Sequence, residues 1–468
     1  MRVIKPLKMC IAAFVAMTAV SGLSAANLMQ VYRQALVSDP TFKQAHWTYE
    51  SARQAVPLNL AVLLPQLSLT STLGLSDHFD KSLNAQNVSV ANPGLSKLRT
   101  RARTSGFQLS LTQSLFNFSY WENLASASVS VKAAFATYSY AIQDLIQRTA
   151  TAYFQVLNAR EQLIYTKAEK RAFHEEYTQA LASYKVGVKT LTDVANAKAA
   201  YDGAIADVVS AQTSLLDARE NLRAITNVYY RQLSTLKRLP LLRPKPANIN
   251  AWAKIALQHN WQINSAQFDL LAAHHNVRSA EGGHLPTLNL SGSYKNSFTR
   301  QYNRTGYDRN EDLGGEIDLT LPIFSGGAVT ATVSQQEANY HETSAVLEAT
   351  YRGVLNNTRQ SYLGVVSGIS KIRADFQSVL SHKQSLKGTK EGYQVGTQTM
   401  LDVLAAEQDL YNAQRQYAAD RYAYIDDLIL LKESAGTLSV ADIVKVDAWL
   451  NPPSKTTHRK RHTAKHKK

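Results

Sequence analysis

Two threonine–aspartate pairs are the residues of this chain whose types and spacing are best suited to chemistry. Thr190 precedes Asp193 by three positions, and Thr399 precedes Asp402 by three positions. A hydroxyl and a carboxylate at this spacing form a capping box, in which each side chain binds the backbone N–H of the other residue at a helix start. The spacing therefore predicts that a helix begins directly after each threonine.

Other chemical motifs are weak. The sequence contains no HExxH, nucleophile elbow, P-loop or CxxC pattern, so we expect neither an enzyme nor a cofactor. Three histidines near the C-terminus recur every four residues and would share one face of a helix, as zinc or copper ligands do: His458, His462 and His466. The alternative is a solvated basic tail that touches anionic polymers of the cell envelope.

The two threonine–aspartate pairs belong to a tandem repeat. The segment YKVGVKTLTDV from Tyr184 returns 209 positions later, from Tyr393, as YQVGTQTMLDV, with six identical residues. AYFQVLN at 152 aligns with SYLGVVS at 361 on the same offset, whereas LPQLSLTST at 64 aligns with LPTLNLSGS at 285 on an offset of 221. The difference of 12 residues predicts a longer strand-to-strand loop in the first copy, near Lys81 to Thr100.

Both ends of the chain carry targeting or tail signals. Residues 1–26 combine basic residues, an apolar stretch and a small-residue end, which is typical of a cleaved secretory signal. The only cysteine, Cys10, lies in this signal, so the exported chain is expected to contain none. Much of the net charge of +15 lies in the signal and in the basic tail, which leaves about +5 on the folded body and argues against a nucleic-acid partner.

Turn residues and periodicity divide the chain into consecutive segments. The predicted segments are the signal (1–26), a first repeat (27–230), a connector (231–250), a second repeat (251–433), a short C-terminal element (434–450) and a basic disordered tail (451–468). Each repeat contains two alternating strand patterns, a very long helix, the Val-Gly turn and a return helix. The first long pattern, from Tyr120 to Lys185, has no proline and would extend on the order of 100 Å.

Four strand patterns alternate between apolar and polar residues. Their apolar faces comprise Leu67, Leu69, Leu73 and Leu75; Phe107, Leu109, Leu111 and Leu115; Leu288, Leu290 and Tyr294; and Ile317, Leu319, Leu321 and Ile323. A half-buried sheet in a soluble sandwich is one interpretation. The other is a closed membrane barrel, because the exported chain has no apolar stretch of 18 residues. Four strands cannot close a barrel, so the second interpretation needs several copies, and three copies would supply twelve strands.

In this order of elements, the sequence resembles the TolC family of outer-membrane efflux and secretion ducts. The resemblance runs from NLMQVYRQAL at 27 to AGTLSVADI at 435, and includes TAYFQVLNA at 151, GHLPTLNLS at 283 and LPIFSGG at 321. It does not cover the basic tail. It implies an α+β membrane protein, a homotrimer in which a 12-stranded β-barrel continues into a 12-helix α-barrel, with a mixed equatorial region and two tandem repeats per chain.

The resemblance also assigns roles at the two turns. Family tips that dock end to end with a periplasmic adaptor protein match Val186, Gly187 and Val188 in the first turn and Val395, Gly396 and Thr397 in the second. In the family, a tyrosine and an arginine of the second turn bind a Thr-Asp pair of the first and hold the entrance closed. The matching positions here are Thr192, Asp193, Tyr393 and Gln398. Because glutamine replaces the arginine, we expect a weaker latch.

Acidic residues of the family ring the lumen just inside the entrance. Asp402 occupies one of these positions, but the next is Ala405, so a trimer would carry one ring of three carboxylates. The implied function is a passive exit duct in the outer membrane of a Gram-negative bacterium, with a long periplasmic extension. Its implied partners are an adaptor (membrane fusion) protein, an inner-membrane RND, ABC or MFS transporter and outer-membrane lipid. The alternative is a trimeric coiled-coil stalk without transport, which would need neither the strands nor the turns.

Overall fold

The computed structural model describes residues 25–83, 95–237, 239–302 and 305–451. Most of the predicted signal, with Cys10, lies outside the described residues, as does the basic tail with His458, His462 and His466. Among the described residues, no helix is both long enough and apolar enough to cross a membrane.

The predicted helices are present. Three short ones open the chain: α1 (Leu28–Ser38), α2 (Pro40–Arg53) and α3 (Ala55–Ala61). The long helices of the two repeats are α4 (Phe118–Lys185), α5 (Leu191–Thr226), α8 (Ala328–Gln394) and α9 (Met400–Ser434); the remaining ones are α6 (Ile249–His259), α7 (Trp261–Glu281) and α10 (Val440–Asp447). Asp39 caps α2: its Oδ2 accepts the Phe42 N–H at 2.8 Å.

The four strand patterns form one antiparallel sheet. The strands are β1 (Gln66–Leu83), β2 (Leu95–Phe116), β3 (Thr287–Gln301) and β4 (Asp308–Thr320), in the order β1-β2-β3-β4. Each strand pairs antiparallel with its neighbour, for example Leu69 with Leu109 and Leu290 with Ile317, and the β2–β3 pair has one register shift between Ser114 and Phe116. β1 and β4 are therefore the edge strands of the sheet.

The predicted loop from Lys81 to Thr100 was too long. β1 continues to Leu83 and β2 begins at Leu95, so part of that segment is strand. Apolar alternation fades in this region, where Arg101 Nε lies 3.1 Å from Asp77 Oδ2 across the hairpin. A cross-strand charge pair can stabilise a ladder without an apolar face, so apolar alternation alone underestimated the strand lengths.

The chain forms two compact units, and each takes segments from both repeats. One unit contains residues 47–137 and 262–350, and includes the whole sheet. The other contains residues 25–46, 138–261 and 351–451, and includes both Val-Gly turns. The predicted repeats are thus interleaved in the folded chain.

The connector between the repeats is held by tyrosine hydroxyls. Residues 239–248 form no helix, because prolines at 240, 244 and 246 are incompatible with a regular helix. The Tyr424 hydroxyl donates to Leu242 O at 2.8 Å and accepts from Leu242 N at 2.9 Å. The Tyr153 side chain is fully buried, and its hydroxyl donates to Ser234 O at 2.8 Å.

Two carboxyl groups of α9 are buried against α4. Thr151 Oγ1 donates to Asp426 Oδ1 at 3.2 Å. Burial raises the pKa of Asp426 to about 7, which the Thr151 hydrogen bond lowers only in part. Burial, followed by the charge of Asp144, likewise raises the pKa of Glu433 to about 7. Both groups therefore bind a proton at a higher pH in the folded chain than in the unfolded chain.

We expect Asp426→Asn to remove part of the pH dependence of stability. The folded pKa of about 7 lies above the unfolded value of 3.8, so this group stabilises the fold fully below pH 3.8 and loses that contribution as pH rises towards 7. The slope is about 1.4 kcal/mol per pH unit for one group. Denaturation followed by circular dichroism should show the variant to be more stable than the parent at pH 8 and equal to it near pH 4. Asp202→Asn, at an exposed position of α5, is the control; a variant that is less stable at pH 8 would contradict this assignment.

Candidate functional site at the paired helical turns

The first Val-Gly turn closes α4 with a Schellman motif. Gly187 has a φ of +77°, in the left-handed region. The Val188 N–H donates to Ser183 O at 3.0 Å, and the Gly187 N–H donates to Tyr184 O at 2.9 Å. These two hydrogen bonds satisfy carbonyls that the end of a helix would leave unpaired.

The second turn repeats this geometry at the end of α8. Gly396 has a φ of +84°. The Thr397 N–H donates to Gly392 O at 2.9 Å, and the Gly396 N–H donates to Tyr393 O at 3.3 Å. A Cβ built on Gly187 or on Gly396 would meet no atom within 4 Å, so backbone conformation, not space, requires glycine at both positions.

Both predicted capping boxes are confirmed. Asp193 N donates to Thr190 Oγ1 at 3.2 Å, and Thr190 N donates to Asp193 Oδ2 at 3.2 Å. In the second turn, Asp402 N donates to Thr399 Oγ1 at 3.2 Å, and Thr399 N donates to Asp402 Oδ2 at 2.8 Å. Hydrogen bonds from the Thr399 side chain and backbone lower the pKa of Asp402, so this carboxylate is ionised at neutral pH.

The predicted docking tips expose apolar side chains. Val186 and Val188 are 74% and 70% exposed, and Val395 is 76% exposed. Since the turn geometry and the capping boxes satisfy the backbone, these valines are not needed to close the turns. The predicted docking role of these turns stays a prediction.

An apolar cluster lies directly behind the two turns and joins them. It contains Phe173, Ala180, Val194, Ala197, Ala204, Tyr393, Met400, Val403 and Leu404. Met400 and Val403 are fully buried, although both lie in the first turn of α9. The cluster therefore fixes the start of the second return helix against the first hairpin.

The structure brings the predicted latch residues together only in part. Tyr393 is buried in the apolar cluster, and burial, followed by the charge of Asp193, raises its pKa. The hydrogen bonds formed by the Asp193 carboxylate within the described residues go to Thr190. Thr192 is exposed, and the Gln398 side chain packs at Gly392, where an added Cβ would lie 2.7 Å from Gln398 Cγ.

A cation that sequence reasoning missed lies on Tyr393. Lys189 Nζ is 3.7 Å from the centre of the Tyr393 ring, within the range of a cation–π interaction. Lys189 and Gln398 occupy equivalent positions in the two repeats, because both stand two residues after the turn glycine. The repeat alignment could have identified it, since the first copy carries a cation where the second carries an amide.

Comparisons with known proteins match both repeats. The sequence profile of the family "Outer membrane efflux protein" matches residues 31–228 and 252–437. The chain is 35% identical over 446 residues to outer membrane protein TolC of Escherichia coli strain K12, covering 93% of this chain and 87% of that protein. It is 25% identical over 431 residues to the proteases secretion protein PrtF of Dickeya chrysanthemi, covering 91% of each. The fold is similar to that of the Campylobacter jejuni CmeC outer membrane channel, with a TM-score of 0.71 and 19% identity over 93% of this chain and 94% of that one.

We expect Gly396→Ala to destabilise the fold, because an L-residue in the left-handed region costs about 1 kcal/mol. Gly388→Ala is the matched control: it lies in the interior of α8 with no atom near the added Cβ, and alanine favours helix there by up to about 1 kcal/mol. Chemical denaturation of both variants should give shifts of opposite sign. Shifts of the same sign would contradict the role of left-handed backbone at the turn.

Proposed function

Because the chain belongs to the outer membrane efflux protein family, we propose that three copies form a passive exit duct with a gated periplasmic entrance. The protein is an outer-membrane channel protein of the efflux and secretion class in a Gram-negative bacterium, and it is not an enzyme. The proposal concerns the assembly, the gate and the partners. A stalk without transport would require neither the sheet nor the exposed turns.

The open edges of the sheet are the observation that carries the proposal. Among the residues that the structure describes, β1 and β4 each pair on one side only. Both edge strands also expose apolar rows: Leu67, Leu69, Leu73 and Leu75 in β1, and Leu313, Ile317 and Leu319 in β4. Backbone groups in a bilayer must be paired, and antiparallel barrels achieve this by closure. Pairing of β4 of one copy with β1 of the next, repeated over three copies, would give a closed barrel of twelve strands.

The two Val-Gly turns support the second part of the proposal, which is docking of a partner protein. The exposed valines of both turns offer an apolar, rigidly held surface to the hairpin tips of a periplasmic adaptor protein. An inner-membrane RND, ABC or MFS transporter would supply the energy. Similarity to a protein named for protease secretion extends the proposal from small-molecule efflux to type I secretion.

The gate is proposed to lie where the second return helix meets the first hairpin. Tyr393 would be its central contact, held by Lys189 and by the apolar cluster, with Thr192, Asp193 and Gln398 around it. Three copies of Asp402, ionised and exposed in each chain, would form one carboxylate ring. Such a ring attracts cations by concentrating the local field.

Deletion of the gene should sensitise the bacterium to detergents and dyes and reduce protein secretion, and the parent gene should restore both. Leu313→Lys should fail to restore them, since residue 313 lies near the middle of β4 and a lysine on a lipid-facing strand position costs about 2–4 kcal/mol at mid-bilayer. Glu316→Lys, on the opposite face of the same strand, should restore them. Unchanged sensitivity and secretion after deletion would contradict the proposed duct.

Asp402→Ala should weaken cation selectivity, measured as the reversal potential under a salt gradient in planar bilayers. Thr399→Ala is the matched control, because it removes the same capping box but keeps the carboxylate. The control should therefore retain selectivity. Anion selectivity that Asp402→Ala leaves unchanged would rule out the carboxylate ring.

A further inference from the structure

Four exposed arginines lie on one face of the sheet, towards its hairpin end, where β1 joins β2 and β3 joins β4. We call them the arginine cluster: Arg101, Arg103, Arg300 and Arg309. Residues directly opposite each other in an antiparallel pair lie on the same face. Arg103 lies opposite Leu75 on one side and opposite Arg300 on the other. Arg309 lies opposite Phe298. The arginine cluster therefore shares the face that carries the apolar rows of β1 and β4.

Acidic side chains compensate two of the four arginines. Arg101 Nε lies 3.1 Å from Asp77 Oδ2, and Arg309 forms an ion pair with Glu311. The arginine side chains of these pairs are still 58% and 55% exposed, so each pair lies at the surface of the chain. Each of these two cations thus already has a counter-ion.

Arg103 and Arg300, in contrast, face each other without an acid between them. Among the residues that the structure describes, neither guanidinium group has an ion pair or a hydrogen bond. Side chains directly opposite each other have Cβ atoms about 4.5–5.5 Å apart, and like charges at that spacing destabilise the sheet. The strand pairing therefore brings two cations together at a cost that a bound anion would remove.

The arginine cluster lies at the boundary of the apolar band of the sheet. The apolar row of β1 runs from Leu67 to Leu75, about 27 Å along a strand that rises about 3.4 Å per residue. Outer-membrane barrels carry an apolar band about 25 Å tall, edged by aromatic residues. Leu75, the last member of this row, lies opposite Arg103. Tyr302 and Tyr307, at the two ends of the β3–β4 connection, are 67% and 70% exposed. The cluster is thus placed where a bilayer passes from its apolar core to its headgroups.

The orientation of the chain in the membrane decides which leaflet the cluster meets, so this inference rests on the proposed duct. At the other end of the sheet, β2 leads into α4 and β4 leads into α8. Because these helices are proposed to extend into the periplasm, the hairpin end would face the cell exterior. The outer leaflet of a Gram-negative outer membrane contains lipid A, a glycolipid that carries phosphate groups. Arginine suits such a ligand, because its planar guanidinium group can donate two parallel hydrogen bonds to one phosphate.

We propose that Arg103 and Arg300 bind a phosphate group of lipid A between them, on the lipid-facing surface of the barrel. The phosphate oxygens accept hydrogen bonds from both guanidinium groups, and the negative charge removes the repulsion between them. Arg101 and Arg309, which lie one row to either side, add positive potential around the same headgroup. Each of the three proposed copies would hold one such lipid.

The test measures binding of fluorescently labelled lipid A to the purified full-length protein in detergent micelles. Replacing both residues, Arg103→Gln with Arg300→Gln, should raise the apparent Kd about tenfold or more, because the charge-assisted contacts are lost. Arg300→Lys, which keeps the charge but loses the planar fork, should give an intermediate affinity. Lys295→Gln is the matched control: it removes an exposed cation from the opposite face of β3 and should leave the affinity unchanged.

Equal affinity of the parent and the double variant would overturn this site. An equal loss in Lys295→Gln would also overturn it, because net charge alone would then explain the binding. Lipid A stripped of its phosphates should bind both proteins equally weakly, and a preference for the parent would mean that the phosphates are not what is recognised. Inorganic phosphate that raises the melting temperature of the parent as much as lipid A does would overturn the assignment to a lipid.

Folding and pore formation separate this inference from the proposed duct. Without lipid, the double variant should melt at the temperature of the parent or above it, because the repulsion between the two arginines is gone. If the double variant does not fold, Arg300→Gln alone decides by the same comparison of affinities. A parent that forms a pore in planar bilayers but does not bind lipid A would overturn the lipid site alone, whereas absence of any pore would overturn the duct.

Discussion

The left-handed backbone at Gly187 and Gly396 is the constraint on which the rest of the site depends. A long helix that reverses leaves carbonyls unpaired at its end and N–H groups unpaired at the start of the next helix. Here the glycine turn satisfies the first set, and the threonine–aspartate box satisfies the second. The backbone therefore closes each reversal by itself. This leaves the valines free to face outward and the side chains behind them free to join the two hairpins.

Local sequence was sufficient to predict the features that depend on neighbours in the chain. The absence of proline predicted the long helix α4, and the spacing from Thr190 to Asp193 predicted the cap of α5. Features that depend on distant partners were missed. The extended part of the β1–β2 hairpin contains the cross-strand pair of Asp77 with Arg101, and the contact of Lys390 with Glu176 joins residues more than 200 positions apart. Charged residues within an apolar helical stripe were the available signal, but a single sequence does not say which of them meet.

The two turns have the same backbone conformation but differ in their side chains. Tyr184 is 42% exposed, whereas its equivalent Tyr393 is 8% exposed. Lys189 stands where the second copy has Gln398, and it reaches across to the Tyr393 ring. Duplication thus supplied two identical reversals, and substitution then placed the cation on one and the buried ring on the other. Because the cation of Lys189 meets the aromatic ring of Tyr393, the contact is attractive and can hold the two hairpins together. Two lysines at these equivalent positions would instead repel each other.

The edge strands of the sheet constrain the way in which copies of the chain could assemble. Contact of β4 with β1 of a neighbour joins two different surfaces, so it is head-to-tail and each addition leaves a fresh β4 at one end and a fresh β1 at the other. Head-to-tail assemblies either close into a ring or grow into an open filament. The twist and stagger that each chain contributes to the sheet must therefore sum to one full revolution within the proposed three copies. In the proposed assembly, the curvature of the sheet would therefore help to set how many copies close the ring.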